Sequence, residues 1–200
     1  MDIERRYVTS EVRATDGEDG ITTIEGHAAV FNKDSEEMFG FVERVAPGAF
    51  AAALARPDDV RALFNHDPNM VLGRNTAGTL ELSEDNVGLR YKLDLPDTQA
   101  GRDLAVSMSR GDVSQSSFGF RVVRQSWELR ENGPDIRTIE EAELFDVSPV
   151  TYPAYPDADV AIRSHDKAID EARPVKSNHK SNLVEIHEQE QFDLQAKSID

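Results

Sequence analysis

Ser117 stands in the run Ser114-Gln115-Ser116-Ser117-Phe118-Gly119-Phe120, which reads as a β-strand. Residues two apart share a face of a strand, so Ser114, Ser116, Phe118 and Phe120 point one way. Gln115, Ser117, Gly119 and Arg121 point the other way. Each phenylalanine gains about 1.5–3 kcal/mol on burial, which sends the aromatic face to the core. Ser117 is then expected on the opposite, more open face, beside a glycine with no side chain to block an approaching backbone. That is a seat for a hydroxyl nucleophile. A half-exposed structural serine is the plainer reading of the same pattern.

A serine hydroxyl attacks only when a base takes its proton, and histidine, with an ordinary pKa of about 6.5, is the best base near neutrality. Of the 5 histidines, His165, His179 and His187 fall in a polar C-terminal stretch, and His27 has no evident partner. His66, in Phe64-Asn65-His66-Asp67-Pro68, follows the strand predicted at 60–64, next to a turn, and shares the parity of Phe64 and Ala62. A satisfied, half-buried histidine fits that place as well. The base also profits from an acceptor on its other ring nitrogen. Asp67 is adjacent but would face away along a strand. Asp146, in Leu144-Phe145-Asp146-Val147-Ser148, is against strand propensity and so is expected to have a partner. That partner is either the histidine or a structural hydrogen bond or salt bridge. Arg74 and Arg121 are further basic candidates near these segments.

Other chemistries find little support. Cysteine is absent, which removes disulfides, thiolate catalysis and cysteine zinc sites together. No His-Glu-x-x-His spacing and no glycine-rich phosphate loop followed by lysine occurs, so neither a metal nor a cofactor is expected. The formal net charge of -16 repels phosphate backbones and argues against a nucleic-acid partner. No apolar run approaches the roughly 20 residues that span a bilayer, so no membrane partner is expected. The opening Met-Asp-Ile-Glu-Arg-Arg lacks the apolar core of a secretory signal.

The elements that must position these residues are mostly short strands. Residues 3–13 and 21–31 are predicted as strands, as are 41–45, 60–64, 79–82 and 89–95. The run Ala49 to Ala55 is helical between Pro47 and Pro57, and residues 98–110 form a second helix with Thr98 as its cap. The Ser117 strand continues through Val123. Asn132-Gly133 turns the chain, strands follow at 136–140 and 143–148, and Val150 to Pro156 runs on extended. The expected fold is mainly β with inserted helices (α+β), closed or nearly closed. The domain is expected to cover residues 1–163. Residues 164–200 are polar, with a short solvated helix near Leu183–Leu194 in a flexible tail.

Taken in order, several segments resemble the prohead proteases of tailed bacteriophages, serine peptidases of capsid maturation related in fold to herpesvirus assemblin. They are Gly26-His27-Ala28-Ala29-Val30-Phe31-Asn32, Glu43-Arg44-Val45-Ala46-Pro47-Gly48-Ala49-Phe50, and Phe64-Asn65-His66-Asp67 with Leu72-Gly73-Arg74. The Gly88-Leu89 strand, the Thr98–Asp112 helix, Ser117-Phe118-Gly119-Phe120 and Asp146 to Ala154 follow. Their number and order carry the resemblance, from about Gly26 to about Arg163. It implies an antiparallel β-barrel of assemblin type and a serine endopeptidase with Ser117 as nucleophile and His66 as general base. Asp146 stands where the family often has glutamate, one methylene longer. The implied substrates are a scaffold protein, the scaffolding extension of the major capsid protein, and the chain itself. The implied place is the assembling prohead in the host cytoplasm, with a possible homo-oligomer and a targeting or self-cleaved tail. A catalytically silent assembly protein of the same fold is the alternative, and an unrelated β-domain hydrolase with the same triad is a third reading.

Overall fold

The computed structural model describes residues 3–8, 12–17, 20–56, 58–152 and 158–172. In chain order the strands are β1 Glu4–Val8, β2 Arg13–Asp16, β3 Thr22–Val30, β4 Phe41–Val45, β5 Arg61–Phe64, β6 Asp67–Arg74, β7 Leu80–Glu84, β8 Gly88–Asp94, β9 Gln115–Glu128 and β10 Asp135–Val150. The helices are α1 Ala51–Ala55, α2 Gln99–Ser109 and α3 Ala158–Ala172, with a short 3-10 turn at Asn75–Ala77. The chain divides into two units, Met1–Arg163 and Ser164–Asp200.

The first unit is built on β10. Along one side β9 pairs with it antiparallel, from Ile136↔Glu128 to Val150↔Gln115. Its other side is shared by two short parallel strands, β4 opposite Asp135–Ile139 and β5 opposite Asp146 and Val147. Outside β5 lies β6, and outside β9 lies β1, which completes a six-stranded sheet. The other four strands make an antiparallel sheet in the order β2-β3-β8-β7.

Apolar alternation explains the stacking of the two sheets. Phe118 and Phe120 from β9 pack with Ile24, Leu89, Tyr91 and Leu93 from the second sheet in one core. The aromatic face chosen from the pleat is therefore the core face, with Phe118 stacked on Phe120 at 4.7 Å between ring centroids. Phe50, which precedes α1, meets Phe118 edge-on at 5.6 Å. In α2 the Thr98 side chain accepts the Gly101 N–H at 3.2 Å, and Leu104 and Met108 are buried. That is the cap and the apolar spacing expected of it.

Four expectations are corrected. The mainly β, α+β class holds, but no sheet closes into a barrel among the described residues. The six-stranded sheet ends at β1 and β6, the four-stranded sheet at β2 and β7, and β10 has parallel as well as antiparallel partners. Two open sheets that meet face to face bury the same alternating residues a barrel would, which is why the pattern did not separate them. The strand expected over 3–13 is β1 only at Glu4–Val8, and a separate strand, β2, begins at Arg13 and joins the other sheet. The strands expected at 136–140 and 143–148 are one strand, with bulges between Ile139 and Ala142 and between Leu144 and Asp146. Residues 158–172 are helical, so the first part of the expected flexible tail, 164–172, lies in a helix, with good helix formers at Ala161, Lys167, Ala168 and Glu171. The segment Leu183–Leu194 and the rest of the expected tail lie outside the described residues.

One buried polar group crosses the first sheet. Glu4 and Arg6 of β1, Glu43 of β4 and Arg137 of β10 are all buried. Arg137 Nη1 donates to Glu4 and Glu43 at 2.7 Å each, and Arg6 donates to the same two carboxylates at 2.7 Å. Two cations and two anions balance, so the group itself carries no net charge.

Candidate active site

His66 does not lie on a strand, as its parity with Phe64 suggested. Phe64 pairs with Asp67, so Asn65 and His66 form the two-residue loop between β5 and β6. Both have positive φ, 55° and 58°. A tight hairpin of this kind favours Asn-Gly, because a side chain at positive φ costs roughly 1–2 kcal/mol. Histidine in the glycine position is thus a local cost, of the sort found where function fixes a residue. Asn65 anchors the loop to the end of β10: its Oδ1 accepts the Thr151 N–H at 2.9 Å, and its N–H donates to the Pro149 carbonyl at 3.1 Å.

From that loop the imidazole reaches both expected partners. His66 Nε2 lies 2.6 Å from Ser117 Oγ, and Nδ1 lies 2.5 Å from Asp146 Oδ1. With its proton on Nδ1, the ring donates to Asp146 and offers the Nε2 lone pair to the serine hydroxyl. The three residues come from the β5–β6 loop, β9 and β10, and the register Ser148↔Ser117 and Asp146↔Gly119 brings the last two strands into line.

The space above Gly119 has a use the pleat did not reveal. A Cβ there would stand 2.3 Å from Asp146 Oδ2, so it is the carboxylate, not an approaching backbone, that fills it. The bulge just before Asp146 re-aims the side chain, which lets the shorter acid reach the imidazole.

Ser117 is also less open than expected. It is 0% exposed, and the His66 and Asp146 side chains keep only 8% and 10% of their surface. Its Oγ lies 2.9 Å from the Arg6 carbonyl of β1, a second acceptor for the hydroxyl's single proton. Sequence reasoning missed that carbonyl, and it missed Asn65 and Ser148. Ser148 Oγ donates to Asp146 Oδ1 at 2.9 Å and lies 3.3 Å from His66 Nδ1. The pleat did hold a signal for it, since residues 146 and 148 share a face.

The remaining candidates are placed elsewhere. Asp67 accepts from Asn69 N–H at 2.8 Å. Arg74 is paired with Asp59 at 2.6 Å and Arg121 with Glu143. His27 does have a partner, Asp85, at 2.8 Å. Burial pushes the Asp85 carboxyl up, but hydrogen bonds from the Gly88 N–H, His27 and the Val87 N–H outweigh it and hold it at about 2. Tyr91 bonds Ser116 Oγ at 2.7 Å on the core side of β9, and burial raises its phenol well above the usual range. No group of three or more His, Cys, Asp or Glu is placed to hold a metal among the described residues.

A hydroxyl, an imidazole and a carboxylate in one hydrogen-bonded line, on a mainly β scaffold, have the arrangement of a serine hydrolase site. Residues 8–172 match the family described as caudovirus prohead serine protease, and the chain belongs to that family. It is accordingly a serine endopeptidase of phage capsid maturation, as the ordered segments implied. The solved structure of the bacteriophage T4 capsid assembly protease, gp21, is similar with a TM-score of 0.42 and 13% identity, covering 73% of this chain and 98% of that one. No curated protein sequence matches the chain.

Proposed function

We propose that Ser117 is the nucleophile of this protease, His66 its general base and Asp146 the residue that orients the imidazole. The observation that carries the reading is the bridging position of His66, 2.6 Å from Ser117 Oγ and 2.5 Å from Asp146 Oδ1. The Ser117 proton passes to His66 Nε2 as Oγ forms a bond to the scissile carbonyl carbon. The imidazolium is held by Asp146 and gives that proton to the leaving amine as the C–N bond breaks. Water, deprotonated by the same imidazole, then hydrolyses the acyl-enzyme. Backbone N–H donors at the oxyanion are typically worth about 2.7–4 kcal/mol each. For attack to begin, the hydroxyl proton must turn from the Arg6 carbonyl to His66, because one proton cannot serve both acceptors.

The proposed substrates are the phage scaffold protein or the scaffolding extension of the major capsid protein, cut inside the assembling prohead in the host cell. Family membership supports that setting. Co-expression with the cognate capsid and scaffold proteins tests the assignment: wild type is expected to shorten one of them and Ser117→Ala to leave both intact. Equal processing by the two proteins would sink it. Residues 1–163 are proposed as the protease domain and 164–200 as a targeting or self-cut extension. Mass spectrometry of the concentrated chain is expected to show Ser117-dependent loss of C-terminal mass, and an uncut wild-type chain would count against self-cleavage.

A further inference from the structure

We propose that Ser148 is a positioning residue of this protease, whose hydroxyl sets how much of the Asp146 charge reaches His66; the inference rests on the triad proposed above. Ser148 is 0% exposed, and a buried hydroxyl at that depth needs a hydrogen-bond partner. It donates to Asp146 Oδ1 at 2.9 Å, the same oxygen that His66 Nδ1 approaches at 2.5 Å. Its own oxygen stands 3.3 Å from Nδ1, so the ring proton meets Asp146 directly and Ser148 at longer range. The ring is therefore steered from two directions at once.

The placement follows from the strand. Residues 146 and 148 share a face of β10, and Ser148 lies in register with Ser117 on β9. Other groups near the carboxylate do not duplicate it. Gly119 has no side chain, and Arg61, the β5 residue in register with Asp146, turns its guanidinium to Asp59 at 2.8 Å. A hydrogen bond to an ionised acceptor is among the stronger ones, and it draws carboxylate charge toward the hydroxyl. Without it that charge falls wholly on the imidazole and stabilises its cation over the neutral ring that must accept the serine proton. The ring also loses its second contact and the alignment that comes with it.

A fluorophosphonate probe reads this without a known cleavage sequence. Ser117 Oγ displaces fluoride at phosphorus and the proton goes to His66, so the labelling rate reports the same base. Labelling of the full chain is followed against probe concentration and pH for wild type, Ser117→Ala, Ser148→Ala and Ser148→Thr, each with a thermal melt. Ser148→Ala is expected to lower the maximal labelling rate about tenfold, leave half-saturation unchanged, and move the acid limb of the pH profile to higher pH. Ser148→Thr keeps the hydroxyl and is expected to restore both. An unmoved acid limb in Ser148→Ala overturns the proposal, and so does Ser148→Thr matching Ser148→Ala while melting like wild type. If Ser148→Ala does not fold, Ser148→Cys, a weak donor of similar size, carries the same expectation and the same refutation. Equal labelling of Ser117→Ala and wild type overturns the triad instead, so the two failures are distinct.

Discussion

At the scale of single residues, the site depends on how closely Asp146 can lie against β9. Its Oδ2 occupies the volume that a Cβ on residue 119 would take, 2.3 Å from where that carbon would stand. Gly119→Ala is therefore expected to push the carboxylate off the imidazole. The neighbour in the way is a short side chain held by two hydrogen bonds, which has little freedom to yield. The variant should lose activity about as severely as Asp146→Asn, for which we expect a fall on the order of 10³–10⁴ in turnover with folding intact, the scale set by the same change in other triads. Cleavage assays with melting curves check the pair, and a fully active Gly119→Ala would refute the packing argument. The residue types here were legible in the sequence. A serine on the face opposite two phenylalanines and a histidine just past a strand were candidates by type, and an aspartate against propensity pointed to a partner. The burial of Ser117 was not legible, because it depends on β1, a strand 111 residues away, whose Arg6 carbonyl sits 2.9 Å from the hydroxyl.

Among the elements, those specified by local sequence were readable and those specified by distant pairing were not. The helix α2 carries its own cap and β4 its own Phe41, Val42 and Val45, and both fall where expected. In contrast, β6 includes Pro68 and Asn69 and owes its extended form to β5. The bulges in β10 look like a break along the chain and become continuous only against β9. The buried group of Glu4, Arg6, Glu43 and Arg137 was equally unreadable, since each member reads alone as a surface charge. It ties β1 to β4 and β10, and β1 places the Arg6 carbonyl on Ser117. Arg137→Met should leave Glu4 and Glu43 buried with one cation between them. We expect a loss of about 3–5 kcal/mol, and a drop in Tm on the order of 10 °C for a domain of this size. Denaturant titration against wild type measures it. A change under about 1 kcal/mol would mean that water reaches the cluster and that β1 is held by its backbone bonds alone.

For the molecule as a whole, charge and folding meet in the acid range. The net charge of -16 at neutrality falls toward zero as the pH approaches the isoelectric point near 4.7. Acidification down to that point relieves self-repulsion, whereas below it the chain becomes increasingly positive and repulsion returns. Among the described residues, three carboxylates are held below their ordinary range. A hydrogen bond from Arg74 lowers Asp59, and bonds from Ser126 and Arg124 lower Glu140. Asp85 sits at about 2, because donors from Gly88, His27 and Val87 overcome the upward push of burial. A carboxylate lowered by folding binds its proton more readily in the unfolded chain, so its stabilisation is complete above the unfolded value near 4 and disappears as pH falls through the folded one. Both effects thus turn against the native state below the isoelectric point. We expect Tm to be highest near pH 5–6 and to fall steadily from about pH 4.5 to pH 2. Asp85→Asn isolates one contribution: its Tm should lie roughly 1–3 °C below wild type at pH 6, with the gap closing toward pH 2. A gap that stays constant to pH 2 would show that Asp85 acts through the shape of the β7–β8 turn rather than through its charge.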